Sequence, residues 1–80
     1  MGLKGMKTMY KDLVFMANQI GDFYKNYPTK EEAIEGITNH LQKFWSPVMR
    51  QRIISYVEEN GGSDLSPLVR EAIVKLKRCS

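Results

Sequence analysis

The feature that most constrains this chain is the junction Phe44-Trp45-Ser46-Pro47, which ends one amphipathic run and opens another around the only tryptophan. Serine is a favoured helix N-cap, and proline at the first helical position loses nothing, because the N–H it lacks has no intrahelical partner there. A helix-to-helix corner is therefore specified, with an aromatic pair at its hinge. The same Ser-Pro opening recurs at Ser66-Pro67.

Periodicity fills in the rest. Met6, Met9, Tyr10, Leu13, Met16, Ala17, Ile20, Phe23, Tyr24 and Tyr27 fall in steps of three and four, which predicts a first helix from Met6 to about Tyr27. Pro28 ends it by driving the preceding residue out of the α region. Thr29 with Glu32 three residues on reads as a capping box for a second helix, whose stripe is Ala33, Ile34, Ile37, Leu41 and Phe44. Gly36 inside that helix costs about 1 kcal/mol against alanine, so its presence predicts a close helix approach. The third helix carries Val48, Met49, Ile53, Ile54, Tyr56 and Val57 and stops at Asn60-Gly61-Gly62, since glycine enters the left-handed conformation without a Cβ clash. A fourth, capped by Asp64 or Ser66, buries Leu68, Val69, Ala72, Ile73 and Leu76 and sets Lys75, Lys77 and Arg78 at its negative end. The expected fold is all-α, a small compact bundle of four helices over residues 6–78, with disorder at 1–5 and 79–80.

Eighty residues allow one thin core, and such a domain buries roughly 60 to 65% of the surface its unfolded chain exposes. Partner surface is a natural supplement. Cys79 has no second thiol or Cys/His cluster, which excludes a disulfide framework or a zinc site within one chain and fits a reducing compartment. There is no apolar run of transmembrane length, no signal-peptide core and no lipidation box, so the expectation is a soluble, cytoplasmic protein without membrane contact. The net charge of +3 is spread along the chain, with acids at Glu31, Glu32, Glu35, Glu58 and Glu59 between the basic ends, which argues against a dedicated nucleic-acid surface.

Catalytic chemistry is hard to assemble from these residues. His40 is the only histidine and has no recognisable nucleophile or carboxylate partner, so it is expected beside the apolar stripe, hydrogen-bonded to a backbone carbonyl or to a partner chain. The Glu31, Glu32, Glu35 cluster suits the positive end of a helix dipole without further purpose. No phosphate loop, Cys-x-x-Cys pair or dinucleotide fingerprint is present, so no cofactor is expected in this chain and no catalytic or metal residue is assigned.

Partner contacts are easier to place. Trp45 and Arg50 belong to residue types that anchor interfaces, and Met49 adapts to irregular surfaces. Trp45 is expected to plug the corner, while Arg50 and Arg52 are expected to be exposed, as a solvated face or as a patch for an acidic surface. Asn18 and Gln19 interrupt an apolar helix and have two readings, a solvent-facing edge or a buried polar contact with a partner. Phe15 and Val14 exceed what one narrow stripe can bury and are candidates for a partner or self-association surface. The partner-binding candidates are thus Trp45, Met49, Arg50, His40, Asn18, Gln19 and Phe15.

The blocks Met16-Ala17-Asn18-Gln19-Ile20, the corner from His40 to Arg52, and Gly61-Gly62 followed by Leu65-Ser66-Pro67-Leu68-Val69-Arg70-Glu71-Ala72 carry a resemblance. In that order, over about Leu13 to Leu76, the chain resembles the delta subunit of cytoplasmic NAD-dependent formate dehydrogenases that use molybdenum or tungsten. The resemblance implies a non-catalytic small subunit or accessory protein whose larger partner subunits carry the cofactors and oxidise formate, and which assists assembly or stability of that complex. An alternative is a small helical DNA-binding regulator, with the third and fourth helices as a helix-turn-helix, although only Arg70 is well placed to read bases. A homo-oligomer is compatible with either.

Overall fold

In the computed structural model, which describes residues 2–79 and the side chains of 11–78, the chain forms α1 (Gly2–Tyr24), α2 (Lys30–Phe44), α3 (Pro47–Asn60) and α4 (Pro67–Cys79). Strands are absent among the described residues. The radius of gyration is 12.1 Å, near the ~12 Å of a compact chain of this length. The first helix starts at Gly2, upstream of the Met6 indicated by periodicity, and ends three residues early, with Tyr27 N–H donating to the Tyr24 carbonyl in a turn before Pro28. The disorder expected at 1–5 and 79–80 concerns ends of which Met1 and Ser80 lie outside the described residues.

The caps form as the residue chemistry requires. Thr29 Oγ1 accepts from the Glu32 N–H at 3.1 Å and donates to Glu32 Oε1 at 3.2 Å, so the capping box closes through the hydroxyl. Ser46 Oγ accepts from the Met49 N–H at 3.2 Å with Pro47 at the first helical position. Of the two possible caps of α4, Ser66 is the one used: its Oγ accepts from the Val69 N–H, while the Asp64 carboxylate takes the Tyr56 hydroxyl instead. Gly61 and Gly62, at φ 76° and 67°, turn the chain from α3 towards α4 in the left-handed region that side chains disfavour.

The core runs through Leu13 and Ala17 of α1, Ile37 and Leu41 of α2, Trp45 at the corner, Ile53 and Ile54 of α3, Leu65, and Val69, Ala72, Ile73 and Leu76 of α4. Burying an Ile or Leu side chain is worth about 1.5–3 kcal/mol, so the eight isoleucines and leucines among these positions are the main cohesive force. The most extensive helix pairing is α2 with α4. Thr38 lies inside it, fully buried, with its hydroxyl directed to the Ile34 carbonyl at 2.8 Å and the Ala72 carbonyl at 3.3 Å. A buried hydroxyl left unmet is costly, and here it ties α2 to α4.

Among the residues assigned to apolar stripes that face outward, the most exposed are Phe23 at 68%, Phe44 at 71% and Val48 at 60%. Met16 and Tyr27 are exposed too. On α1 the core face is centred on Leu13, Ala17 and Gly21, with Tyr24 half-buried on the same line, which leaves Met16 and Phe23 on its flank. Phe44 points in the same direction as Ile37 but sits at the last turn of α2, where Trp45 already fills the end of the core.

Gly36 does mark a close approach: a Cβ there would run into the ring of Tyr24. That ring is wedged between Phe23, Tyr27 and His40 and cannot simply swing aside. Alanine at an ordinary helical glycine gains about 1 kcal/mol, whereas overpacking costs about 1–3 kcal/mol. Gly36→Ala is therefore expected to destabilise the protein by about 1 kcal/mol in urea unfolding, opposite in sign to the propensity effect.

Candidate functional site

The corner between α2 and α3 is held by one side chain. Arg50 Nη1 donates to the Gln42 carbonyl and to the Trp45 carbonyl, both at 2.8 Å, meeting acceptors that the end of α2 leaves free. Trp45, extended at φ −89° and ψ 140°, donates its backbone N–H to the Leu41 carbonyl and turns its side chain inward to 5% exposure. Its role as the corner plug is thus as expected. Arg50 is half-buried and committed to the fold, which corrects its expected place on an exposed docking flank. Arg52 is likewise half-buried rather than exposed.

Asn18 is committed as well. Its Nδ2 donates to the Asp64 carbonyl at 2.9 Å and its Oδ1 accepts from the Ser66 N–H at 3.0 Å. Two elements 46 to 48 residues apart are joined by one amide. In a capping box the third helical residue takes the N-cap N–H. In α4 that residue is Val69, which cannot, and Asn18 supplies the acceptor from α1. Neither reading of Asn18, a free edge or a contact with a partner, describes this use.

Beside the corner, Met16, Gln19, Ile20, Phe23 and Tyr24 of α1 face His40 and Phe44 of α2, with Trp45 and Met49 closing one end, around a groove of 560 Å³. Its wall is aromatic. Phe23 meets Tyr24 edge-on at 5.0 Å between ring centroids, Tyr24 lies 6.4 Å from His40, and His40 lies 4.7 Å from Phe44. Among the described residues His40 has these ring contacts and no bond to a backbone carbonyl, the first of its two expected partners. Such a wall presents large, rigid apolar area, and the methionines at its margins adapt to irregular surfaces.

Four of the seven predicted contact residues, Gln19, His40, Trp45 and Met49, line this groove; Asn18, Arg50 and Phe15 do not. Phe15, 63% exposed, borders a separate groove with Lys11, Val14, Asn18 and Tyr56, about 80° around α1 from Phe23. Val14 is half-buried against the core and lines that groove with its outer side. Of the stripe residues that turn out exposed, Met16, Phe23 and Phe44 are the groove's most exposed apolar side chains. The signal was available in the surplus of apolar positions on α1 and in the two adjacent aromatics at a single helix end.

Electrostatics elsewhere are local. The hydrogen bond to Asp64 at 2.7 Å raises the Tyr56 phenol above its ordinary value, with burial and the carboxylate charge adding to it. Lys30 is raised by its hydrogen bond and charge contact with Glu71. On α4, Lys75 pairs with Glu35 and Lys77 with Glu58, so the helix that a DNA-reading arrangement would use has half of its basic groups answered by acids of the same chain. Among the described residues, no group of three metal-ligating side chains comes together, and no helix is long and apolar enough to cross a membrane.

The arrangement defines a small helical protein with an apolar groove at a braced corner. Residues 12–73, most of the chain and nearly the span over which the resemblance ran, match the family described as NADH-dependent formate dehydrogenase delta subunit FdsD, and the chain belongs to that family. Comparison with curated proteins and with solved structures gives no match.

Removing the Asn18 amide leaves the Ser66 N–H and the Asp64 carbonyl without their partner. Asn18→Ala is expected to cost about 1 kcal/mol in chemical denaturation and to speed hydrogen exchange at the Ser66 amide.

Proposed function

We propose that this chain is a non-catalytic delta subunit of an NADH-dependent formate dehydrogenase and that the groove at the corner is where it docks on the larger subunits. The observation that carries the proposal is the exposure of Met16, Phe23 and Phe44 in one groove, in a chain that belongs to a subunit family. Exposed aromatics clustered beside polar margins are what binding anchors look like, and a thin-cored domain gains most from covering them.

In this reading the cofactors and the oxidation of formate reside in the larger subunits, in the cytoplasm, and this chain holds no cofactor. Its contribution is to assist assembly or stability of the complex through protein–protein contacts. The chemistry of the groove favours this over the DNA-binding alternative, since its wall is aromatic and sulfur-bearing and lacks the row of bases that phosphate recognition needs.

Phe23→Glu/Phe44→Glu tests it in the native host. Both side chains are largely exposed, so the helical signal of the purified variant should match the wild type. Tagged wild-type chain is expected to co-purify with the large formate dehydrogenase subunits, and the double variant to lose them. Recovery of those subunits with both proteins alike would reject the groove as the dock, and recovery with neither would reject the subunit role.

A further inference from the structure

A third groove, of 770 Å³, lies on the opposite flank of α2's buried stripe. Its floor is apolar, made of Ile34, Val57, Pro67 and the exposed Val74. Four charged residues of α4 border it, and two of them are already answered within the chain: Glu71 pairs with Lys30 at 2.9 Å, and Lys75 pairs with Glu35. Arg70 and Arg78 are exposed and have no acidic partner among the described residues. The groove therefore carries two guanidinium groups without an acidic side-chain partner, Arg78 of them at the negative end of the α4 dipole.

Their spacing is specific. Arg70, Val74 and Arg78 stand at i, i+4 and i+8, one ridge of α4, with the two arginines about 12 Å apart along the axis. Arg70, exposed, starts beside the left-handed turn, its Cδ 3.4 Å from where a Cβ on Gly62 would be. A second helix laid alongside repeats with the same spacing as this ridge.

We propose that the Arg70–Val74–Arg78 row receives an acidic amphipathic helix of a partner subunit, with two carboxylates eight positions apart on either side of an apolar residue. Each guanidinium takes a carboxylate through its planar fork, and the apolar residue between them packs over Val74 and Ile34. The proposal rests on the reading of the chain as a subunit of a larger complex and adds a second contact, away from the corner groove. A second copy of the chain does not fit, because none of α1 to α4 carries two acidic residues seven or eight positions apart. The face selects a different protein.

The test uses formate dehydrogenase purified from a strain lacking this chain as the immobilised probe, with the full-length chain and its variants in solution. Arg70→Glu/Arg78→Glu is expected to bind at least about 100-fold more weakly, taking each engaged pair as about tenfold, with an unchanged helical signal. Val74→Glu should weaken binding too, and the wild-type affinity should fall as salt rises. Wild-type affinity retained by the double glutamate variant would overturn the proposal while leaving the subunit reading intact. Failure of the wild type itself to bind would overturn both. Binding of the wild type to duplex DNA at physiological salt, abolished in the double variant, would assign the arginines to phosphate and overturn the proposal.

Discussion

One guanidinium fixes the geometry on which the rest depends. By donating to the carbonyls of Gln42 and Trp45, Arg50 closes the end of α2 and sets the direction in which α3 leaves it. Trp45 then points into the core and Phe44, its neighbour, points out. Core and groove are two results of the same turn. Replacing that arginine with an acid would put a carboxylate against two carbonyl oxygens, so it would disturb the fold before it disturbed any partner.

The other helices are arranged around that corner by small residues and polar ties. Gly21 lets α1 approach Val69, Gly36 makes room for the Tyr24 ring, and Ala17 and Ala72 are buried at the helix contacts. Across these contacts run the Asn18 amide, joining α1 to the start of α4, and the Thr38 hydroxyl, joining α2 to α4. In a domain this small an unmet buried polar group would be a large fraction of the total stability; the buried Thr38 hydroxyl is met, while Arg52 Nε is buried without a hydrogen-bond partner. The result is a stiff wall under the groove, with its aromatic rings held from α1 and α2 at once.

The helices were legible because their signals are local. The Thr29 box, the two Ser-Pro openings and the glycine pair after Asn60 each act within a few residues, and each appears where the sequence places it. The candidate site was legible only in part, since direction on a helix does not tell how far the covering helices reach. Phe44 has the right angle for burial and lies beyond the cover; Met16 and Phe23 sit just off the buried line. Asn18 and Arg50 look like surface contacts in isolation, and their partners, at Asp64, Ser66, Gln42 and Trp45, are set by tertiary folding. Thr38 was missed for the same reason.

The central claim is that the corner groove is covered when the chain joins formate dehydrogenase. Hydroxyl-radical footprinting of the free chain and of the chain in the assembled enzyme tests it directly. Met16, Phe23 and Phe44 should react readily in the free protein and lose several-fold of that reactivity in the assembly, while Phe15, on another face of α1, keeps its own. Equal reactivity of Phe23 and Phe44 in both states, with protection appearing at Phe15 instead, would contradict the account.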